Sequence, residues 1–235
     1  ALSNNDFLPV DLCEGEEGMR ALGVMQTRLL DAAEAPVDLA VHVLDHPMIN
    51  AFALPGGQVV LFRGLIDTAE DPDEIAAVLA HEIGHVAARD PTRIALRTAG
   101  SVGVLGLLLG DFAGGTVVLF LTERLIQANY SRAAEAGADD YARDMLLRAG
   151  LPPSALARMF ERFQEHQGEV NGIIAHFSSH PDLGDRITRA RVGDGDRLRP
   201  SLTPREWRAL KSICGNARQG NAGRLLRKDK NPPND

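Results

Sequence analysis

His81-Glu82-Ile83-Gly84-His85 lies inside an uninterrupted helical stretch, Pro72 to Asp90, and reading it as helix constrains how the whole chain must be arranged. Positions i and i+4 sit about 40° apart around a helix, so His81 and His85 can aim at one point. Glu82 projects roughly 100° away from His81, too far to join them naturally but well placed to hydrogen-bond a water held there. Two neutral imidazoles and a carboxylate that does not ligate form the half-site of a zinc hydrolase. In such a site the metal lowers the pKa of its water to about 7 and the glutamate takes the proton. The competing reading, exposed histidines on an amphipathic helix, fits the neighbours poorly. Ile75, Val78, Leu79, Ile83 and Val86 make an apolar stripe at helical spacing. His81 and Glu82 stand beside that stripe, where unpaired polar groups are costly.

Zinc catalysis needs three protein ligands and one open position, so a third ligand must come from elsewhere. The alanine-rich segment from Tyr130 to Leu147 reads as a helix with Ser131 as its N-cap. Within it Glu135 and Asp139 are again i and i+4 and share a face. Glu135 as ligand, with Asp139 accepting from a ligand imidazole N–H, is the arrangement such a site needs. Taken alone, the pair reads equally well as a solvated acidic face.

Four motifs occur in order: Asn50-Ala51-Phe52-Ala53-Leu54-Pro55-Gly56-Gly57, then His81 to His85, then Ser131-Arg132 with Glu135, Ala138 and Asp139, then Ser179-His180-Pro181 with Arg186-Ile187. In this they resemble the zinc metallopeptidase family of the CAAX prenyl proteases and HtpX-type heat-shock proteases, which also has soluble bacterial periplasmic members. The resemblance covers roughly residues 40–190. It implies a zincin-like (gluzincin) body, one zinc ion, His81, His85 and Glu135 as ligands, Glu82 as general base and Asp139 supporting a ligand imidazole. It further implies that His180 and Arg186 lie across the cleft and stabilise the oxyanion, a standard electrostatic contribution. Asn50, Ala51, Phe52 and Ala53 become the edge strand that pairs with an extended substrate, with the small Ala51 and Ala53 leaving room for it; a plain structural hairpin is the alternative. In some periplasmic relatives the residue matching His180 instead fills the open metal position and shuts the enzyme off. Where the family often has a second Glu, this chain has Gly137.

The remaining histidines carry less. His176 and His180 form a second i, i+4 pair, but Pro181 ends any helix there. His42, His46 and His166 have no partner pattern and read as surface or satisfied core residues.

At 235 residues and 44% hydrophobic, the chain can bury one good core. It reads as a single metallopeptidase domain over 1–215 with a flexible tail over 216–235. Net charge is −7 with acidic and basic residues interspersed, which gives no argument for nucleic acid. Cys13 and Cys214 are either a tie between the two ends in an oxidising compartment or two free thiols. No leader-like segment opens the sequence, so either a signal or anchor has been removed or the chain is trimmed. The Asn129-Tyr130-Ser131 sequon sits beside the presumed catalytic helix, where a glycan would obstruct the site, and is read as chance.

The expected architecture is α+β: a mainly helical body carrying a small antiparallel sheet. Residues 14–34 read as a helix with Leu22, Met25, Leu29 and Leu30 on one face, and 37–44 alternates as a strand. Residues 49–54 and 59–62 form a hairpin around Pro55-Gly56-Gly57, and helices follow from Asp67, including ones at Pro152-Pro153, 183–191 and 204–213. The apolar, glycine-punctuated run 98–122 has the length of a membrane span. The histidines before it and Glu135 after it must reach one ion, and one crossing would part them. Two crossings need about 20 residues each, and the run is too short. It is expected to be a hydrophobic helical hairpin serving as a lid or shallow membrane contact over 101–121, with plain core or a subunit contact as alternatives.

The leading expectation is a zinc endopeptidase for extended or unfolded polypeptides, in the bacterial periplasm or membrane-associated, with a role in envelope protein quality control. The rival is a latent, chaperone-like binding module with its zinc capped by His180. A structural zinc protein would want a closed set of four ligands.

Overall fold

The computed structural model describes residues 11–34, 36–97, 130–165, 183–191, 194 and 198–215. The 101–121 run, His166, His176, His180 and the 216–235 tail lie outside the described residues. The described elements in chain order are α1 (Glu16–Asp31), β1 (Ala40–Leu44), β2 (Ala51–Leu54), β3 (Gln58–Phe62), α2 (Arg63–Thr68), α3 (Pro72–Ala87), α4 (Arg132–Arg148), α5 (Ser154–Glu165), α6 (Leu183–Ala190) and α7 (Pro204–Lys211). A further helical run covers 90–97.

The sheet is mixed, which corrects the antiparallel expectation. Its order is β1-β3-β2, with β1 parallel to β3 and β2 antiparallel to β3. The hairpin at Pro55-Gly56-Gly57 is present, but β3 enters between the two earlier strands. Alternation along a strand reports which face is buried and is silent about which neighbour it pairs with, so the parallel partner was not readable locally. Gly56 and Gly57 carry the positive φ of the tight turn, 81° and 73°. A Cβ on Gly57 would also lie 2.0 Å from the Asp38 carbonyl oxygen.

The register aligns Val41, Val59 and Ala53, and likewise Val43, Leu61 and Ala51. These six side chains join the main core, and β2 packs against α3. Phe52, Val60 and Phe62 form a smaller cluster of their own with Leu44, Met48 and Leu54.

α3 is the central element. Asp71 caps it by accepting from the backbone N–H groups of Asp73 and Glu74, and Pro72 occupies the first turn. The helix is buried on all faces, because Glu74, His81, Glu82 and His85 are as enclosed as Ile75, Leu79 and Ile83. Such a helix cannot solvate its charges, so each must be met by another element. Glu74 is met by Arg162 of α5 at 2.9 and 3.1 Å.

α4 crosses α3 at Gly84. A Cβ there would lie 3.0 Å from the Ala138 Cα and 3.2 Å from its carbonyl oxygen, so glycine is what lets the two backbones approach. Ser131 caps α4 as its sequence indicated, accepting from the Ala134 N–H. α1 contributes Leu22, Met25 and Leu29 to the core and packs on α7 and α3. Beside it, Cys13 and Cys214 form a disulfide with a Cα–Cα distance of 4.6 Å. No helix among the described residues is long and apolar enough to cross a membrane.

Candidate active site

His81 and His85 come from α3, and Glu135 comes from the first turn of α4 one step before the Gly84–Ala138 contact. The two Nε2 atoms face each other at 3.2 Å. Glu135 completes the triangle, with Oε2 3.6 Å from the Nε2 of His81 and Oε1 3.5 Å from the Nε2 of His85. Donors about 2.0–2.1 Å from one tetrahedral zinc lie ~3.3–3.4 Å apart, so the two imidazole nitrogens and the carboxylate of Glu135 stand at separations close to the edges of such a site. All three side chains are buried, and among the described residues they form one of two groups of potential metal donors. The other, Cys13, Asp45 and Cys214, contains the disulfide and so lacks free thiols.

Each imidazole is held through its far nitrogen. The Nδ1 of His81 lies 3.0 Å from Asp139 Oδ1, and the Nδ1 of His85 lies 3.1 Å from Asp90 Oδ2. A ring that donates from Nδ1 to a carboxylate turns the lone pair of Nε2 toward the shared centre. Two such lone pairs 3.2 Å apart repel unless a proton or a cation sits between them. The ring of Tyr130 stacks on that of His85, with centroids 3.9 Å apart and planes 12° from parallel.

Arg186 of α6 closes the arrangement from behind. Its Nε and Nη2 donate to Asp139 Oδ2 and Oδ1 at 2.8 and 2.7 Å, and its Nη1 lies 2.7 Å from Glu135 Oε2. Its guanidinium also sits over the Phe160 ring, 4.4 Å from the centroid. Burial acts against the charge of Asp139, yet the hydrogen bond from Arg186 and the contact with His81 hold its carboxyl down to about 2. For His81, burial is the largest influence and lowers its basicity, reinforced by the charges of Arg186 and His85 against the pull of Asp139. For His85, burial is outweighed by the hydrogen bonds with Asp90 and Glu135 and by the charge of Glu82, which lift it to about 9 without metal. Glu82 is fully buried and close enough to act on His85, Tyr130 and Arg186.

The profile of peptidase family M48 matches residues 20–192, most of the chain. The chain belongs to family M48. Among M48 relatives, metalloprotease LoiP of Escherichia coli is 31% identical over 169 residues, covering 66% of this chain and 62% of the relative. Metalloprotease YcaL of the same organism is 33% identical over 176 residues, covering 68% and 64%. A putative beta-barrel assembly-enhancing protease of Vibrio cholerae is 32% identical over 154 residues, covering 61% and 32%. The chain therefore spans between 32% and 64% of the length of these relatives.

Against the expectations for an M48 chain, the structure brings His81, His85, Glu82 and Glu135 into one buried cluster, with the partly exposed Asp139 at its margin. It places Arg186 against Asp139 and Glu135, 2.7 Å from a carboxylate oxygen of each, where an oxyanion role would require release from both. The reason is electrostatic: the buried Glu135 and the largely enclosed Asp139, on one face of α4, need a cation beside them. His180 lies outside the described residues. Asn50 is buried and β2 does form a sheet edge, but Ala51 and Ala53 face the main core, so their small size serves packing against α3.

Two residues in contact with the site escaped sequence reasoning. Tyr130 reads in the sequence as the start of a helical segment. Asp90 reads in the sequence as the end of the α3 stretch, and its contact with His85 is set by the turn after Ala87.

Proposed function

We propose that this chain is a zinc-dependent endopeptidase acting on extended polypeptides. The observation carrying this reading is the triangle of His81, His85 and Glu135 with donor separations of 3.2, 3.5 and 3.6 Å and Glu82 buried beside it. Bound there, zinc would polarise the scissile carbonyl and lower the pKa of a water to about 7. Glu82 accepts the proton of the attacking water and hands it to the leaving amine nitrogen. Asp139 fixes the tautomer of His81, and Arg186 holds Asp139 and Glu135 in place while balancing their charge. His180 supplies the donor toward the developing oxyanion. The substrate lies extended along β2, from Asn50 to Ala53, and pairs through its backbone.

Three relatives are named metalloproteases or an assembly-enhancing protease, and a buried disulfide joins Cys13 to Cys214. Disulfides persist in oxidising compartments. Both support a place in the cell envelope and a role in protein quality control there.

The test is hydrolysis of casein by the zinc-loaded protein and by Glu82→Gln. Loss of a general base costs typically 10²–10⁴-fold in rate. The glutamine variant is expected to retain one zinc per chain and lose at least 100-fold of turnover. Equal cleavage by both proteins would remove Glu82 from the reaction.

A further inference from the structure

We propose that Asp90 is a positioning residue for the metal centre, and that the left-handed turn at Arg89 serves to deliver it to His85. This deepens the zinc reading and rests on it. On an unbroken helix, residue 90 would lie about 140° around the axis from His85, facing elsewhere. α3 instead stops at Ala87, and Arg89 takes φ 57°. Among the described residues it is the sole non-glycine with positive φ. That conformation costs an L-residue roughly 1–2 kcal/mol. Arg89 stands just past the cap of α3, where a left-handed residue commonly ends a helix, and its N–H returns to the Val86 carbonyl at 2.9 Å. What the turn achieves is visible one residue later. Asp90 is folded back, 8% exposed, with Oδ2 3.1 Å from the Nδ1 of His85. The chain then resumes as helix over 90–97, with the Arg93 N–H returning to the Arg89 carbonyl. The turn that ends α3 thus sets a carboxylate on the imidazole of His85.

His85 is thereby fixed on three sides. Asp90 holds Nδ1, Tyr130 covers a face, and His81 meets the ring edge-on with centroids 4.7 Å apart. The two carboxylates behind the histidines differ. Asp139 is bound by the buried Arg186 through both oxygens. Asp90 has Arg93 at 3.5 Å, and that arginine is 65% exposed. Asp139 therefore passes little net charge to His81, whereas Asp90 passes most of its charge to His85. Removing Asp90 should loosen the ring and make Nε2 a poorer donor.

The experiment measures zinc dissociation constants by competition with a chromogenic chelator for the full chain, Asp90→Asn and Asp90→Ala. Absorption spectra of the cobalt-loaded forms and melting of the metal-free forms accompany it. Partners of this kind are worth about 10–100-fold in metal affinity. D90A is expected to bind zinc 10–100-fold more weakly, and D90N to recover part of that loss because its amide oxygen still accepts. The cobalt bands of D90A should shift while its metal-free melting stays close to wild type. If wild type takes up no stoichiometric zinc, the metal reading and this proposal fall together. If wild type binds and both variants bind within twofold of it, the role of Asp90 alone is overturned. Should D90A fail to fold, D90N decides by the same twofold criterion, since it preserves shape.

Discussion

Glu74 offers a quantitative test of how α3 is held. It is fully buried near the start of α3. It accepts from Arg162 Nε at 3.1 and 2.9 Å, from Arg162 Nη2 at 3.1 Å and from the Glu70 backbone N–H at 2.9 Å, with Arg158 Nε at 3.6 Å. Replacing Glu74 by alanine removes the anion and leaves Arg162 largely buried. Breaking a buried pair in this way costs about 3–5 kcal/mol. Arg162 keeps Glu70 at 2.6 Å, a surface carboxylate that softens the loss, so the low end, about 3 kcal/mol, is expected. In a chain of this size that corresponds to a melting temperature lower by about 6–12 °C. Urea and thermal unfolding of the metal-free, disulfide-intact protein measure it. The Glu74→Met, Arg162→Met double variant should regain at least half of the loss, since apolar replacements of a buried pair are often neutral or stabilising. A cost below about 1 kcal/mol for the alanine variant, or no recovery in the double variant, would refute the view that this ion pair docks α3 onto α5.

Gly84→Ala gains up to about 1 kcal/mol of helix propensity, but crowding the Ala138 backbone costs about 1–3 kcal/mol. Modest destabilisation is expected, with weaker zinc binding because α4 and Glu135 are pushed outward; unchanged affinity in a zinc titration would count against the helix contact as the spacer of the site. The pH behaviour of the metal-free protein follows from two groups. His85 is raised to about 9, so its stabilising contribution is complete below its ordinary range near 6.5 and disappears as pH climbs through about 9. Asp139 is depressed to about 2, so its contribution is present above about 4 and is lost as pH falls toward 2. Zinc competes with the proton on His85, and its apparent affinity should therefore rise up to about tenfold per pH unit until about pH 9, as chelator competition at several pH values can check. Cys13→Ser with Cys214→Ser opens a tie spanning 201 residues; a loss of about 2–5 kcal/mol is expected in denaturant unfolding, with α1 and α7 separating first.

Much of the candidate site was legible along the chain because its residues sit at helical spacing. His81 and His85, and likewise Glu135 and Asp139, are i, i+4 pairs, so local geometry alone puts each pair on one face. Ser131 and Asp71 announce helix starts through their side-chain oxygens, and the glycines after Pro55 announce a turn. Such signals act within a few residues and survive without tertiary context. The pairing of β1 with β3, the disulfide between the two ends, and the partner of Glu74 are separated by 18 residues or more. No local pattern encodes them.

The sequence by itself determined that two histidines and a glutamate share a turn of helix, that two acids share another, and that these belong to a peptidase of the M48 type. The tertiary structure decided what each charge faces. By resemblance Arg186 is expected across the cleft, yet the carboxylates of Asp139 and Glu135 hold it at 2.7 Å on their own side. Asp90 looked like a helix end, yet the positive φ at Arg89 turns it back onto His85. The physical reason is the same in both: a charge that must be buried is placed by whatever opposite charge or hydrogen bond the packed core brings within 3 Å or so, and that choice is made in three dimensions.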